Sequence, residues 1–435
     1  MSALRASLLA IGILTSGAVD ATEVRDYSLE TYLDYGHGEG QNESMQSTVR
    51  LTPGFQISFT PHTRLVFEGR IRVDFSDELE PGVADRDTYS PLSRPATISD
   101  LGTAEIRDLF VEHTLSNGVL RIGKQQIAWG RLDGIKVTDV LNPQNLREFI
   151  LEDFGDSRIG LWSAYLDVSM GSWRTELAII PDNTGHAIPA SGAWFELTAP
   201  RYRYGAQPGE PVPQVITDRG SFGLADSAWA LRLSRQFGDF EIGGMAYSGL
   251  DHEPLGRITN QGGNPVVERY YERRDVFGAH AETSIGSFAV RAEISFQPDR
   301  LFNTRSPDAL SATPLDQISA GIGIDFSGPW NTFINIQHLH DTIRSAPDDL
   351  VRPDTDQIST LFVRRSFSYE TLSLTGRYYY SHELSDDMFT FAVEYSFGDA
   401  TKLRLSADVF DGDPAGLFGQ FADRDRVVIG LTHSF

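Results

Sequence analysis

Residues 63–75 read TRLVFEGRIRVDF. Counted in twos, Leu65, Phe67, Gly69, Ile71, Val73 and Phe75 fall on one face, and Val66, Glu68, Arg70, Arg72 and Asp74 on the other. A side-chain period of two is that of a β-strand. The pattern repeats outward from this stretch. Val49, Leu51, Phe55, Ile57 and Phe59 alternate with Arg50, Thr52, Gln56 and Ser58. Phe288, Val290, Ala292, Ile294 and Phe296 alternate with Arg291, Glu293 and Ser295. Phe389, Phe391, Val393, Tyr395 and Phe397 oppose Thr390, Glu394 and Ser396, and Leu403, Leu405 and Val409 oppose Arg404 and Asp408.

The connections alternate as well. Tight ones fall at 60–63, 116–118, 171–172, 238–239, 286–287, 328–331, 368–371 and 398–401, most with the Gly, Asn, Asp or Pro of hairpin turns. Long ones lie between them, near 37–45, 76–102, 130–156, 182–224, 251–271, 299–314, 343–355, 382–387 and 412–424. Eight short and nine long connections join about eighteen strands, within a range of 16–18. A soluble sandwich or propeller has no reason to keep that order. The expectation is an all-β chain forming a transmembrane antiparallel β-barrel in a Gram-negative outer membrane. Its short turns would be periplasmic and its long loops extracellular.

Composition agrees by exclusion. The 435 residues contain no cysteine, which removes disulfide scaffolds, thiolate catalysis and cysteine-held metals. A net charge of −23 argues against nucleic-acid binding. No apolar run approaches the ~20 residues of a membrane-spanning helix. The 40% hydrophobic fraction suits a barrel, because only alternate strand residues meet lipid. At the N-terminus, Arg5, the apolar run 6–14 and the small-residue site at 19–21 form a signal peptide, residues 1–21. Residues 22–435 would then be one barrel domain, with only a handful preceding Tyr27 and so no plug. The last strand ends on the bare aromatic Phe435, as barrel assembly signals do.

With the polar phase inward, Arg50, Glu68, Arg70, Arg72, Arg107, Arg121, Arg174, Arg232, Glu282, Arg291, Glu293, Arg377, Glu394 and Arg404 line the lumen. The opposite assignment fails, since an arginine at the bilayer midplane costs about 2–4 kcal/mol. The cations are almost all arginine, whose rigid fork stays charged and holds carboxylates on neighbouring strands. Such rows either brace the wall or set a field that orients charged solutes. Eighteen strands enclose more space than wall side chains fill, leaving inward-folded loops to narrow it.

The loop at 130–156 is the candidate constriction. It mixes apolar residues with Asp133, Lys136, Asp139, Arg147 and Glu148. Asn142 and Pro143 read as the start of a helix carrying Leu146, Phe149, Ile150 and Phe154. An external cap helix is the alternative. Register slips are expected near Arg107 and Lys124, which flank this loop.

The run RIGKQQIAWG at 121–130, then Asp133-Gly134, DVLNP at 139–143 and REF at 147–149, resembles a family of porin-like bacterial outer-membrane barrels without a firmly assigned function. The resemblance implies the barrel fold and, for many members, work beside exporters in the envelope. A weaker likeness, resting on strand number and an arginine-lined lumen, is to alginate-export barrels.

Other constellations carry less. His338 and His340 with His382 could hold zinc, but rim histidines are commoner. Asp411 and Asp413, and the acidic stretch 74–87, could bind calcium or magnesium, against solvated loop charge. His433 and Ser434 point to opposite faces and cannot form a lipase pair. Trp194, Phe195, Tyr202 and Tyr204 with Arg201 and Arg203 could stack on sugars or pack over the mouth. No metal, cofactor or enzyme chemistry is expected. The expected function is a channel for passive diffusion or export of small polar or charged solutes. The alternative is a closed barrel acting as an adhesin or as a partner of envelope assembly or an exporter. The expected surroundings are outer-membrane lipid and lipopolysaccharide, with a periplasmic or exporter partner open, and with monomer and trimer equally compatible.

Overall fold

The computed structural model describes residues 23–38, 44–82, 87–134, 136–210, 214–219, 224–261, 264–306 and 309–435. The expected signal peptide lies outside the described residues. Eighteen strands form the barrel. The first six are β1 (Glu23–Gly38), β2 (Ser44–Thr60), β3 (Thr63–Asp74), β4 (Gly102–Leu115), β5 (Gly118–Gln125) and β6 (Leu161–Met170). The next six are β7 (Trp173–Ile180), β8 (Ala228–Phe237), β9 (Phe240–Leu250), β10 (Arg273–Ile285), β11 (Phe288–Ser306) and β12 (Ala309–Gly328). The last are β13 (Thr332–Ile343), β14 (Thr355–Phe367), β15 (Leu372–Ser381), β16 (Asp386–Phe397), β17 (Thr401–Asp411) and β18 (Arg426–Ser434).

Each strand pairs antiparallel with the next, and β18 closes on β1, with Ser434 opposite Glu30 and Arg426 opposite Gly38. Closure removes both sheet edges, so the strands need no water to satisfy their backbones. Gly171, Gly238, Gly286 and Gly398 take φ of 61–68°, the left-handed backbone that tight turns of this kind need. The alternation is realised as expected. Leu231, Leu233, Ile242, Ile294, Ile322, Ile336, Phe391, Leu405 and Ile429 are large, apolar and exposed, forming the belt that meets lipid. The barrel is that of a bacterial outer-membrane protein.

The structure corrects the expected loop at 299–314 and the expected slip at Lys124, and it bears out the slip at Arg107. The expected loop at 299–314 is mostly a continuation of β11 and β12, paired out to Ser306 and Ala309 beyond a bulge between Gln297 and Arg300. The slip at Arg107 is real: Glu68 faces Asp108 and Gly69 faces Ile106, leaving Arg107 as the extra residue. At Lys124 the ladder keeps its register on both sides, and Gly123 instead turns the backbone at φ 140°.

The helix expected from Asn142 is absent. Asn142 Oδ1 accepts from the Ile127 N–H (2.8 Å), and its Nδ2 donates to the Ile159 carbonyl (2.7 Å), so it staples the two ends of the loop. Gln144 bridges to Arg158, and Asn145 to Ala187. These partners hold the chain extended at Gln144 and Asn145, residues 147–150 form turns with Phe149 at φ 52°, and only Phe154–Ser157 is helical.

Candidate functional site

The segment 126–160 leaves β5 and packs inside the barrel. Its apolar residues Ile127, Trp129, Val140 and Leu141 are buried with Leu161, Tyr165, Ala178, Ile180, Met245, Tyr247 and Val276 from the inner face of the wall from β6 to β10. That contact orders the loop by hydrophobic burial. Its polar side is tied to two further stretches of wall.

On one stretch, β2, β3 and β4 supply four arginines. Arg107 donates to the Gly155 and Asp156 carbonyls at 2.8 and 2.9 Å, and to Glu68 at 2.8 Å. Arg70 donates to the Asp156 carbonyl and to Glu105 at 3.1 and 2.5 Å. Arg72 pairs with Glu152, and Arg50 lies 3.6 Å from Glu152 and 3.5 Å from Asp156. Burial pushes the Glu152 carboxyl up, and Arg72, Arg70 and Arg50 together overcome it and hold it well below the usual range. Glu148 sits between Arg72 (3.9 Å) and Arg426 (3.5 Å).

On the facing stretch, Glu293 of β11 receives four donors. These are the N–H groups of Arg131, Leu132 (3.2 Å) and Thr138 (2.9 Å), and the Thr138 hydroxyl (2.7 Å). Gln337 of β13 accepts from the Asp133 N–H (3.0 Å) and donates to its carbonyl (2.6 Å). Arg291 reaches Asp133 at 3.3 Å, Glu282 at 3.6 Å and Asp325 at 2.5 Å, and Arg377 reaches Asp153 at 3.2 Å. Loop and wall are thus joined by charge on opposite sides.

The remaining residues singled out from sequence are placed as follows. Arg121 pairs with Glu112, and Arg174 with Asp167 (both 2.8 Å); Arg232 is buried between Glu176 and Glu241. Glu394 meets Lys402 at 3.5 Å, and Arg404 borders a cavity of about 90 Å³ with Asp34, Arg50 and Glu148. Within the loop, Asp139 is buried, its carboxylate taken by Arg158 (2.7 Å) and the Trp129 N–H (3.3 Å). Arg147 turns away to Glu80 in the connection 75–101. Burial pushes Lys136 down to about 8, against the pull of Asp139.

Two cavities remain beside the loop. One, of about 310 Å³, lies between the loop and β13, β14 and β15, against Phe333, Phe362, Arg364, Arg377 and Tyr379. The other, of about 220 Å³, is polar and holds His186, Asp251, His252, Arg274, Arg300 and Arg352. Arg364 and Gln337 were not anticipated from sequence. Strand β14 alternates weakly because Phe362 is apolar on the inner face while Leu361 and Val363 are apolar on the outer one.

The other candidates resolve into packing and rim contacts. His338 and His340 share the outward face of β13 with Ile336, and Ser359 bridges His338 (3.0 Å) and His382 (2.9 Å). Asp74 accepts from the N–H groups of Ser76, Glu78 and Leu79, and Asp413 from Ala415, so these carboxylates cap their own loops. Trp194, Phe195 and Tyr204 are buried, with Phe195 edge-on to Phe421 at 5.7 Å. They pack over the barrel mouth.

A family model described as "Protein of unknown function (DUF1302)" matches residues 76–409, which include the RIGKQQIAWG to DVLNP segment. No curated protein matches the chain. Among solved structures it is similar to OccAB1 of Acinetobacter baumannii, at 9% identity and a TM-score of 0.52, over 94% of this chain and 95% of that one. OccK11 (OpdR) of Pseudomonas aeruginosa matches at 11% identity and a TM-score of 0.51, with coverage of 94% and 95%. OccK2 (OpdF) of Pseudomonas aeruginosa, solved in complex with glucuronate, matches at 10% identity and a TM-score of 0.51, with coverage of 94% and 97%. At these identities the likeness is one of fold.

Proposed function

We propose that this chain, which belongs to the DUF1302 family, is an outer-membrane channel for passive passage of small polar or charged solutes. The observation that carries the reading is the segment 126–160 braced by charge against opposite walls, with about 310 Å³ left open along β13 to β15. A loop held this firmly across a wide barrel narrows the lumen without a folded plug. The arginines and acids that hold it, with Asp133 and Lys136 at the open side, set the field a solute meets. Reconstitution in a planar bilayer tests it. Discrete conductance is expected, and removing residues 136–153 should raise it several-fold. No conductance, together with no solute flux into liposomes, refutes the channel.

A second reading is a closed barrel serving as an adhesin or as a partner of envelope assembly or an exporter. The burial of Trp194, Phe195 and Tyr204 over the mouth favours it. It requires zero conductance and stable co-purification with a periplasmic or surface protein. The resemblance to alginate-export barrels supplies no substrate to either reading.

A further inference from the structure

The larger cavity beside the loop has aromatic rings in its wall. Phe333 of β13, Phe362 of β14 and Tyr379 of β15 turn inward, and Phe149 and Ile150 face them from the loop. A volume of about 310 Å³ lies at the small end of ligand pockets, about 300–1,000 Å³.

The charges around it do not cancel. Glu152 is held by Arg72 and Arg50, Asp133 by Arg291, and Asp153 by Arg377. Lys136 lies 3.8 Å from Asp139. Arg364 lines the same cavity and has no carboxylate within ion-pair reach among the described residues. On the inner face of β14 Arg364 is exposed to the lumen, one inward position beyond Phe362. Arg377 completes the group, with its guanidinium 5.5 Å from the Phe362 ring centre.

We propose that this cavity is a binding site for amphipathic organic monoanions, an apolar body carrying one carboxylate. The carboxylate takes the Arg364 fork, and the apolar body lies against Phe333, Phe362 and Ile150. An arginine fork matches a carboxylate's two oxygens. The aromatic wall excludes strongly hydrated anions, which gain nothing from leaving water there. As a step in permeation the site rests on the channel reading; as a binding site it is tested independently.

The test is calorimetric titration of the detergent-purified full chain with phenylacetate, acetate and benzyl alcohol, beside bilayer conductance in potassium chloride. Phenylacetate is expected to bind at least tenfold more tightly than either of the others. Arg364→Gln should weaken it about tenfold, with the heat-modifiable gel mobility of a folded barrel retained. Phe362→Ser should erase the preference over acetate. Equal affinity for phenylacetate and acetate, undiminished binding to Arg364→Gln, or no binding at all overturns the site. Conductance without binding removes the site and leaves the channel; binding without conductance removes the channel and leaves the site.

Discussion

Glu293 sits at 3% exposure with three backbone N–H groups and one hydroxyl on its two oxygens. Replacing it by alanine strands those donors in a dry place, and each buried donor left unmet costs about 1–3 kcal/mol. The wall strand itself needs no side chain there. Glu293→Ala should therefore still fold as a barrel but release the loop near 131–138. Amide exchange at Leu132 and Thr138 should rise at least tenfold, with larger and noisier conductance. Unchanged exchange at those amides would show that the loop is held by something else. The inward direction of Glu293 was legible from alternation alone. Its partners were not, because they lie 155 to 162 residues away and nothing in a period of two encodes which loop returns to which strand.

The loops act together through one histidine. His252 lies in the connection after β9, and its ring nitrogens face the Thr184 carbonyl (3.0 Å) and the Leu141 carbonyl (3.1 Å), joining three connections. His186, 5.8 Å away, accepts from the Gln144 N–H, so that ring nitrogen carries no proton. Burial, with Arg274 beside it, pushes His252 down to about 4, outweighing Asp251 and the Leu141 carbonyl, which favour the charged ring. Burial, with His252 beside it, also holds His186 well below its ordinary value. The folded state therefore binds fewer protons than the unfolded one, and stability falls as pH drops. The contribution is intact above about 6.5 and is lost progressively as pH falls toward 4. The full loss amounts to about 3 kcal/mol for His252, at about 1.4 kcal/mol per pKa unit. Limited proteolysis within 137–190 should accelerate between pH 7 and pH 4.5 while the barrel stays intact, and His252→Gln should flatten much of that dependence. A cleavage rate independent of pH would dispose of the idea. At this scale sequence reading was weakest: Asn142 looked like a helix cap because its competing partners, Ile127 and Ile159, were invisible without the fold.

Across the whole molecule, the strands were legible because lipid on one side and charge on the other impose the same rule on every membrane crossing. The rule weakened on β14, where Phe362 turns inward between Thr360 and Arg364, and the aromatic cavity lies against that strand. Local inconsistency of this kind marks a site rather than an error of folding. The net charge of −23 gains a location too. Inside the barrel, arginines meet acids nearly one for one, whereas each long connection after β3 carries more acids than bases. The mouth is therefore negative and the interior close to balanced. Such a field reaches about 30 Å at 0.01 M salt but only about 3 Å at 1 M. Under a fixed potassium chloride gradient, the reversal potential should show clear cation preference near 0.01 M and lose most of it at 1 M. Entry of phenylacetate into liposomes should accelerate with added salt over the same range, because screening lifts the repulsion at the mouth before it weakens a close contact at Arg364. If anion entry instead slows steadily with salt, the loop acids do not govern access, and the rate is set inside the barrel.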